Sequence, residues 1–366
     1  MSKKRYSITH KGKTLHTNHW YFLTNEECLA LKEAYYTKPS KDKVNSNFKR
    51  IAKGGTQVAA ITNYYVKDLM AKVKLLSPRW SIEEVFENDD LIRYFWSRVL
   101  SSDKVYPKDK TDITNFETAL RLSGGGVAMK PSNFPMKSVD YILDNYNVNG
   151  NYYDFSCGWG VRMLSSMKNE VNYFGTDPNH LLVGRLNSMH KDYCAVNDVK
   201  HKSEIICSGS EVFHPQWENK MGLAFSSPPY FSLEDYKIGN QSYKPGMNYQ
   251  TWLNSYLKPT IENIYRYLID GGYLVINVKD FEEFKLCADT RRMVEEMGFT
   301  YVDSVSLKNI TRPSAKVDLN TDEVMMVFQK ISNQREVLEA AAAKQLEEQI
   351  EEKFAAIRLK KWRVSE

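Results

Sequence analysis

Ser227-Pro228-Pro229-Tyr230 ends the apolar run Leu223–Ser226. Two consecutive prolines lock the backbone and remove two N–H donors. Their carbonyls, with the Ser227 hydroxyl, make a rigid set of hydrogen-bond acceptors beside an aromatic plate. A plain strand-terminating turn is the structural alternative. Upstream, Asp154-Phe155-Ser156-Cys157-Gly158-Trp159-Gly160 sits where a strand should turn into a helix. Glycines at such a turn let the backbone approach a ligand, and the helix behind them presents free N–H groups. Ser156, Cys157, Gly158 and Gly160 are therefore candidate ligand contacts. The next strand, Tyr173-Phe174-Gly175-Thr176, ends in Asp177, an acid placed to accept both hydroxyls of a ribose. Met163 stands where a third glycine would complete G-x-G-x-x-G, and no P-loop lysine follows. These residues suit a ligand with a ribose but no pyrophosphate better than a dinucleotide.

Short apolar segments separated by helix-length stretches must position these turns. Strands are expected at 151–155, 173–177, 203–207, 223–226, 273–278 and 323–329. Such alternation predicts βαβ units and an α/β, doubly wound, Rossmann-like and mainly parallel sheet. The first ~115 residues read as mostly helical, with capping-box starts at Thr24 and Ser81 and a helix from about Val58 to Leu76. The division expected is 1–115 as a basic helical domain, 116–331 as the α/β domain, and 332–366 as a helix. That last helix would pack on the domain or on a second copy of the chain, so a homodimer stays open.

Several motifs in order resemble the S-adenosylmethionine-dependent amino-methyltransferases of DNA. Asp154–Gly160 is similar to their first motif, Asp177 to their ribose acid, and Ser227–Tyr230 to their catalytic S/N/D-P-P-Y/F motif. Lys130-Pro131-Ser132-Asn133-Phe134-Pro135 resembles their K/H-P-x-x-F-P motif. The resemblance spans about Leu120 to Lys330 and implies a methyltransferase fold with S-adenosyl-L-methionine as cofactor. It implies that Lys130, Pro131 and Phe134 lie beside the methionine part of the cofactor and that Asp154 touches the same end. Pro178 follows the ribose acid, and Gly209 and Ser210 occupy the third motif, near the adenine ring. Ser227, Pro228, Pro229 and Tyr230 would receive a base flipped out of the duplex. The Ser227 hydroxyl and Pro228 carbonyl would accept both hydrogens of its exocyclic amine and free the nitrogen lone pair. Serine at the first position favours cytosine N4, with adenine N6 as the alternative. An RNA base methyltransferase and a catalytically silent nucleic-acid-binding subunit are further alternatives. The chain contains no Pro-Cys dipeptide, which excludes cytosine carbon-5 chemistry of the usual kind.

Composition narrows the partners. The 366 residues carry a net charge of +5, but residues 1–80 hold 16 Lys and Arg against 5 Asp and Glu. This polarity suits either a polyanion such as DNA, with Lys49, Arg50 and Lys53 as candidate phosphate contacts, or a solvated basic face with those three on a solvated loop. The five cysteines are scattered and odd in number, and the seven histidines are dispersed, so neither a disulfide framework nor a metal is expected. No apolar run reaches the ~18 residues of a spanning helix, and no membrane partner is expected. The resemblance implies the cytoplasm of a bacterial or phage-infected cell. The Tyr-rich stretch 231–249 is expected to be a loop closing over the base.

Overall fold

A computed structural model describes residues 6–10, 13–17, 23–75, 80–100, 113, 116–117, 131–281, 283–306, 310 and 323–331. The expected tail helix and Lys130 lie outside them. Seven strands form the central sheet: β4 (Asn151–Asp154), β5 (Asn172–Thr176), β6 (Ser203–Ile206), β7 (Met221–Ser226), β9 (Leu268–Val278), β10 (Phe299–Ser306) and β11 (Val324–Lys330). Their order across the sheet is β10-β11-β9-β7-β4-β5-β6. β4 pairs in parallel with both β5 and β7, whereas β11 runs antiparallel to β9 and β10. The chain therefore reverses its direction of travel across the sheet between β4 and β7. At such a switch point the strand ends leave a crevice for a ligand.

Strand side chains alternate between the two faces, as a pleat requires. Tyr152, Tyr173, Leu223, Phe225, Val275 and Val327 face one core. Helices α7 (Met136–Tyr146), α8 (Val161–Lys168) and α9 (His180–Asn197) cover it. Tyr153, Phe174, Ala224, Leu274, Ile276 and Phe328 face the other. There they meet the run from α10 (Tyr249–Trp252) through a π turn into α11 (Lys258–Tyr267), and α12 (Leu286–Glu296). Buried phenols are satisfied locally: Tyr152 donates to the Phe225 carbonyl at 2.8 Å, and Tyr153 pairs with the Thr176 hydroxyl at 2.9 Å.

The N-terminal region opens with a hairpin the sequence reading missed, β1 (Tyr6–His10) on β2 (Lys13–Thr17). Helices α1 (Asn25–Tyr36), α2 (Lys41–Ala52), α3 (Ala59–Tyr65), α4 (Lys67–Lys72), α5 (Ile82–Phe86) and α6 (Asp89–Leu100) follow. Both capping boxes form, at Thr24 and at Ser81. The single helix expected over 58–76 divides at Val66, whose φ of −132° leaves helical geometry. Lys74–Leu75 then becomes extended as β3 and pairs with β8 (Glu234–Asp235). Packing divides this region in two. Helices α1, α5 and α6 hold a core of their own around Tyr35, Phe86, Trp96 and Phe116. Val44, Phe48, Ile51, Ile61 and Met70 of α2–α4 instead join the core on the α8–α9 side of the sheet. Arg185 of α9 binds Asp68 of α4, and Asp192 receives both Lys41 and Tyr65, so polar links reinforce that packing.

Candidate functional site

The five parallel strands β4, β5, β6, β7 and β9 deliver their carboxyl ends to one edge, and two adjoining cavities open there. The narrower, a slot of about 90 Å³, is lined by Ser156, Gly158, Asp177, Pro178, Gly209, Ser210 and Pro229 among others. The wider, about 680 Å³, is lined by Pro131, Phe134, Ser156, Cys157, Gly158, Ser227, Pro228 and Tyr230 among others. Ser156, Gly158, Trp159, Glu234 and Tyr236 line both and mark where one space passes into the other. Most of the residues selected from sequence thus meet around one connected space.

Five selected positions stand apart. Asp154 lines neither cavity. It is fully buried, and its Oδ2 accepts Arg162 Nε and the Tyr173 hydroxyl, each at 2.9 Å, while Oδ1 accepts the Ser156 N–H at 3.3 Å. Asp154 is thus held in a buried ion pair with Arg162. Gly160 is the N-cap of α8 at φ 84° and serves the turn. A Cβ there would sit 2.7 Å from Leu186 Cδ2 and 3.1 Å from Met189 Sδ. Gly160→Ala should cost about 1–3 kcal/mol through overpacking and backbone strain. Chemical denaturation will show this as a lower midpoint; an unchanged midpoint would mean the turn tolerates a side chain. Lys49 and Arg50, in the last turn of α2, and its C-cap Lys53 are exposed and line neither cavity.

In the slot, the Asp177 Oδ1 accepts the Asn179 N–H at 2.9 Å. Burial pushes the Asp177 carboxyl up to about 7, against the lowering effect of that hydrogen bond. Ser210 turns its hydroxyl away to Thr260 at 2.8 Å, so it offers the slot its backbone more than its side chain. The stretch after Tyr230 walls the slot through Glu234, Tyr236, Ile238 and Asn240 to Tyr243. It is anchored by β8 on β3 and by Phe231, whose ring meets Tyr243, Tyr249 and Phe284 at 5.1–5.5 Å.

In the wider cavity, sequence reasoning missed Asn277 at the end of β9. Its Nδ2 lies 3.2 Å from Ser227 Oγ and 3.0 Å from the Tyr230 hydroxyl, and its carbonyl accepts that hydroxyl at 3.2 Å. Its Oδ1 is buried with no hydrogen-bond partner among the described residues. Unmade hydrogen bonds of this kind are rare in interiors and here sit in a cavity wall. Arg162, Glu234, Tyr236 and Glu323 were missed as well. Burial raises the Glu234 carboxyl, while the Tyr236 hydroxyl, donating to its Oε2 at 2.5 Å, opposes the rise. Asn277 and Glu323 left no local signal, because each joins the site only through long-range packing, whereas Arg162, Glu234 and Tyr236 lie a few residues beyond the motifs.

The residues present fit an adenosine-bearing ligand. Among the described residues, one Asp177 oxygen in the slot and the Asn277 Oδ1 beside the acceptor cluster have no hydrogen-bond partner, and Gly158 permits close approach. The described residues contain no group of three or more His, Cys, Asp or Glu able to hold a metal, and no helix long and apolar enough to cross a membrane.

No family model and no curated protein matches the chain. Among solved structures, it is similar to a TehB-like S-adenosylmethionine-dependent methyltransferase from Corynebacterium glutamicum. That match has 16% identity and a TM-score of 0.38, covering 59% of this chain and 97% of the other. A likeness to the N-methyltransferase NodS from Bradyrhizobium japonicum has 14% identity and a TM-score of 0.36, covering 54% and 94%. Another, to an rRNA methylase from Streptococcus thermophilus, has 16% identity and a TM-score of 0.35, covering 56% and 100%. The fold is Rossmann-like α/β.

Proposed function

We propose that this chain transfers a methyl group from S-adenosylmethionine to the exocyclic amine of a DNA base, with cytosine N4 favoured over adenine N6. The observation that carries the reading is Ser227-Pro228-Pro229-Tyr230 at the end of β7, lining a cavity of about 680 Å³ that adjoins the Asp177 slot. Asp177 would orient the ribose, and Pro131 and Phe134 would wall the methionine end. The bound cofactor supplies an electrophilic methyl on a sulfonium sulfur.

The chain's own residues prepare the nucleophile. An amine conjugated to a base ring has its lone pair delocalised into that ring. Ser227 Oγ and the Pro228 carbonyl accept its two hydrogens and favour a pyramidal nitrogen whose lone pair points at the methyl. Tyr230 is 7% exposed, with its hydroxyl held at Asn277, so its ring is a fixed wall for the base. The N–C bond forms as the C–S bond breaks, the electron pair stays on sulfur, and the nitrogen's surplus proton leaves to solvent. Positioning and fixed dipoles account for the rate without a covalent intermediate. The excess positive charge of residues 1–80, with Lys49, Arg50 and Lys53 exposed on α2, supports DNA as the substrate. The division into a basic domain at 1–115 and a methyltransferase domain at 116–331 belongs to the same proposal, with α2–α4 packed as part of the second unit's core.

The test is transfer from labelled S-adenosylmethionine into unmodified DNA, with RNA in parallel and nucleoside mass spectrometry of the products. N4-methylcytosine in DNA is the expected product. N6-methyladenine would overturn the base choice, and label found only in RNA would overturn the substrate.

A further inference from the structure

We infer that Arg162 binds the α-carboxylate of the cofactor's amino-acid end; the assignment rests on the function proposed above. Arg162 is the cation of the pair with Asp154, and its side chain is only 6% exposed, yet it lines the wider cavity. A guanidinium has five N–H donors. Nε–H goes to Asp154, and Nη2 donates to the Ser156 carbonyl and to Ser226 Oγ at 3.2 Å. Nη1, with two hydrogens, makes no hydrogen bond among the described residues. Its position is set by four neighbours: Asp154, the Ser156 carbonyl, Ser226 Oγ and the Phe134 ring, whose centroid lies 5.5 Å from the guanidinium carbon.

Two features aim Nη1 at a ligand. A Cβ on Gly158 would stand 3.8 Å from Nη1 and 3.1 Å from Nη2, so a group passing over the glycine turn comes within reach of the guanidinium. Asp154 meanwhile spends both its oxygens inward, on Arg162, Tyr173 and the Ser156 N–H. The member of that pair that lines the cavity at the end of β4 is therefore the guanidinium. An ammonium would be repelled there, and a carboxylate would gain charge-assisted hydrogen bonds. The same ligand's amino group then belongs toward Glu234 or Glu323, acids that line the same cavity.

Calorimetric titration of the full chain with S-adenosylhomocysteine and with its decarboxylated analogue, S-adenosyl-3-thiopropylamine, tests this. The wild type should bind the decarboxylated ligand about tenfold more weakly or worse, and Arg162→Gln should bind both alike. A merely structural arginine would weaken both ligands together. Equal binding by the wild type, or discrimination retained in Arg162→Gln, overturns the assignment. Should Arg162→Gln fail to fold, Arg162→Lys replaces it, and the wild-type comparison decides. Failure of S-adenosylhomocysteine to bind at all would instead overturn the cofactor reading.

Discussion

Ser227→Ala should lower the rate of methyl transfer about a hundredfold to a thousandfold, the range seen when one preorganised polar group is lost from a reacting centre. Cofactor affinity should change little, because the Ser227 hydroxyl is assigned to the base amine and not to the cofactor. The size of the effect follows from how the hydroxyl is held. Asn277 Nδ2 sits 3.2 Å from Ser227 Oγ, and the Tyr230 hydroxyl lies 3.3 Å away. Tyr230 is itself fixed by donation to the Asn277 carbonyl. The serine oxygen thus has one lone pair engaged and the other free for the amine, with no reorganisation needed during the reaction. Alanine leaves the Pro228 carbonyl as the only remaining acceptor of that pair, and the amine lone pair returns to the ring. Single-turnover kinetics with saturating cofactor will read this directly. A variant keeping more than a tenth of the wild-type rate would remove Ser227 from the mechanism.

The second large effect concerns pH. Asp177 is desolvated, and burial pushes its carboxyl up to about 7 in the unliganded protein. Two ribose hydroxyls donate far more strongly to the ionised carboxylate than to the acid. Binding therefore releases the Asp177 proton below pH 7, and affinity should rise about tenfold per pH unit up to that point, then level off. The sign is fixed by the ligand preferring the charged form, which lowers the Asp177 pKa in the complex. Glu211, Glu234, Tyr236 and Tyr256 line the same slot, and Glu234 is also raised, chiefly by burial. A cationic group on the ligand would favour ionised Glu234 as well, so in titrations with S-adenosylhomocysteine the Asp177 contribution is the part of the profile that Asp177→Asn removes. Asp177→Asn should weaken its binding about tenfold to a hundredfold at pH 8 and flatten the profile between pH 5.5 and 7. A wild-type profile flat over that range would show that the ribose does not bind Asp177.

The features legible in the chain were those whose signal is local. An apolar run followed by Gly158 and Gly160, a second run ending at Asp177, and a third ending in Ser227-Pro228-Pro229-Tyr230 each announce a strand end within a few residues. The capping boxes at Thr24 and Ser81 are equally short-range, and both formed. Because parallel strands share one direction, placing those ends after strands already placed them at one edge. Tertiary structure decided the rest. Spacing reports the position of Asp154 and not its partner, which is Arg162, the second residue of α8. Asn277 reaches Ser227 across 50 positions of sequence, and β3 reaches β8 from the N-terminal region, pairings that leave no periodic trace. Val44, Phe48 and Ile51 of α2 give the amphipathic pattern of any surface helix. Only the packed structure shows that the surface they cover is the face of α8 and α9 away from the sheet. Local propensity sets where elements begin and end, whereas partner choice depends on burial and charge compensation, and these exist only once the chain is folded.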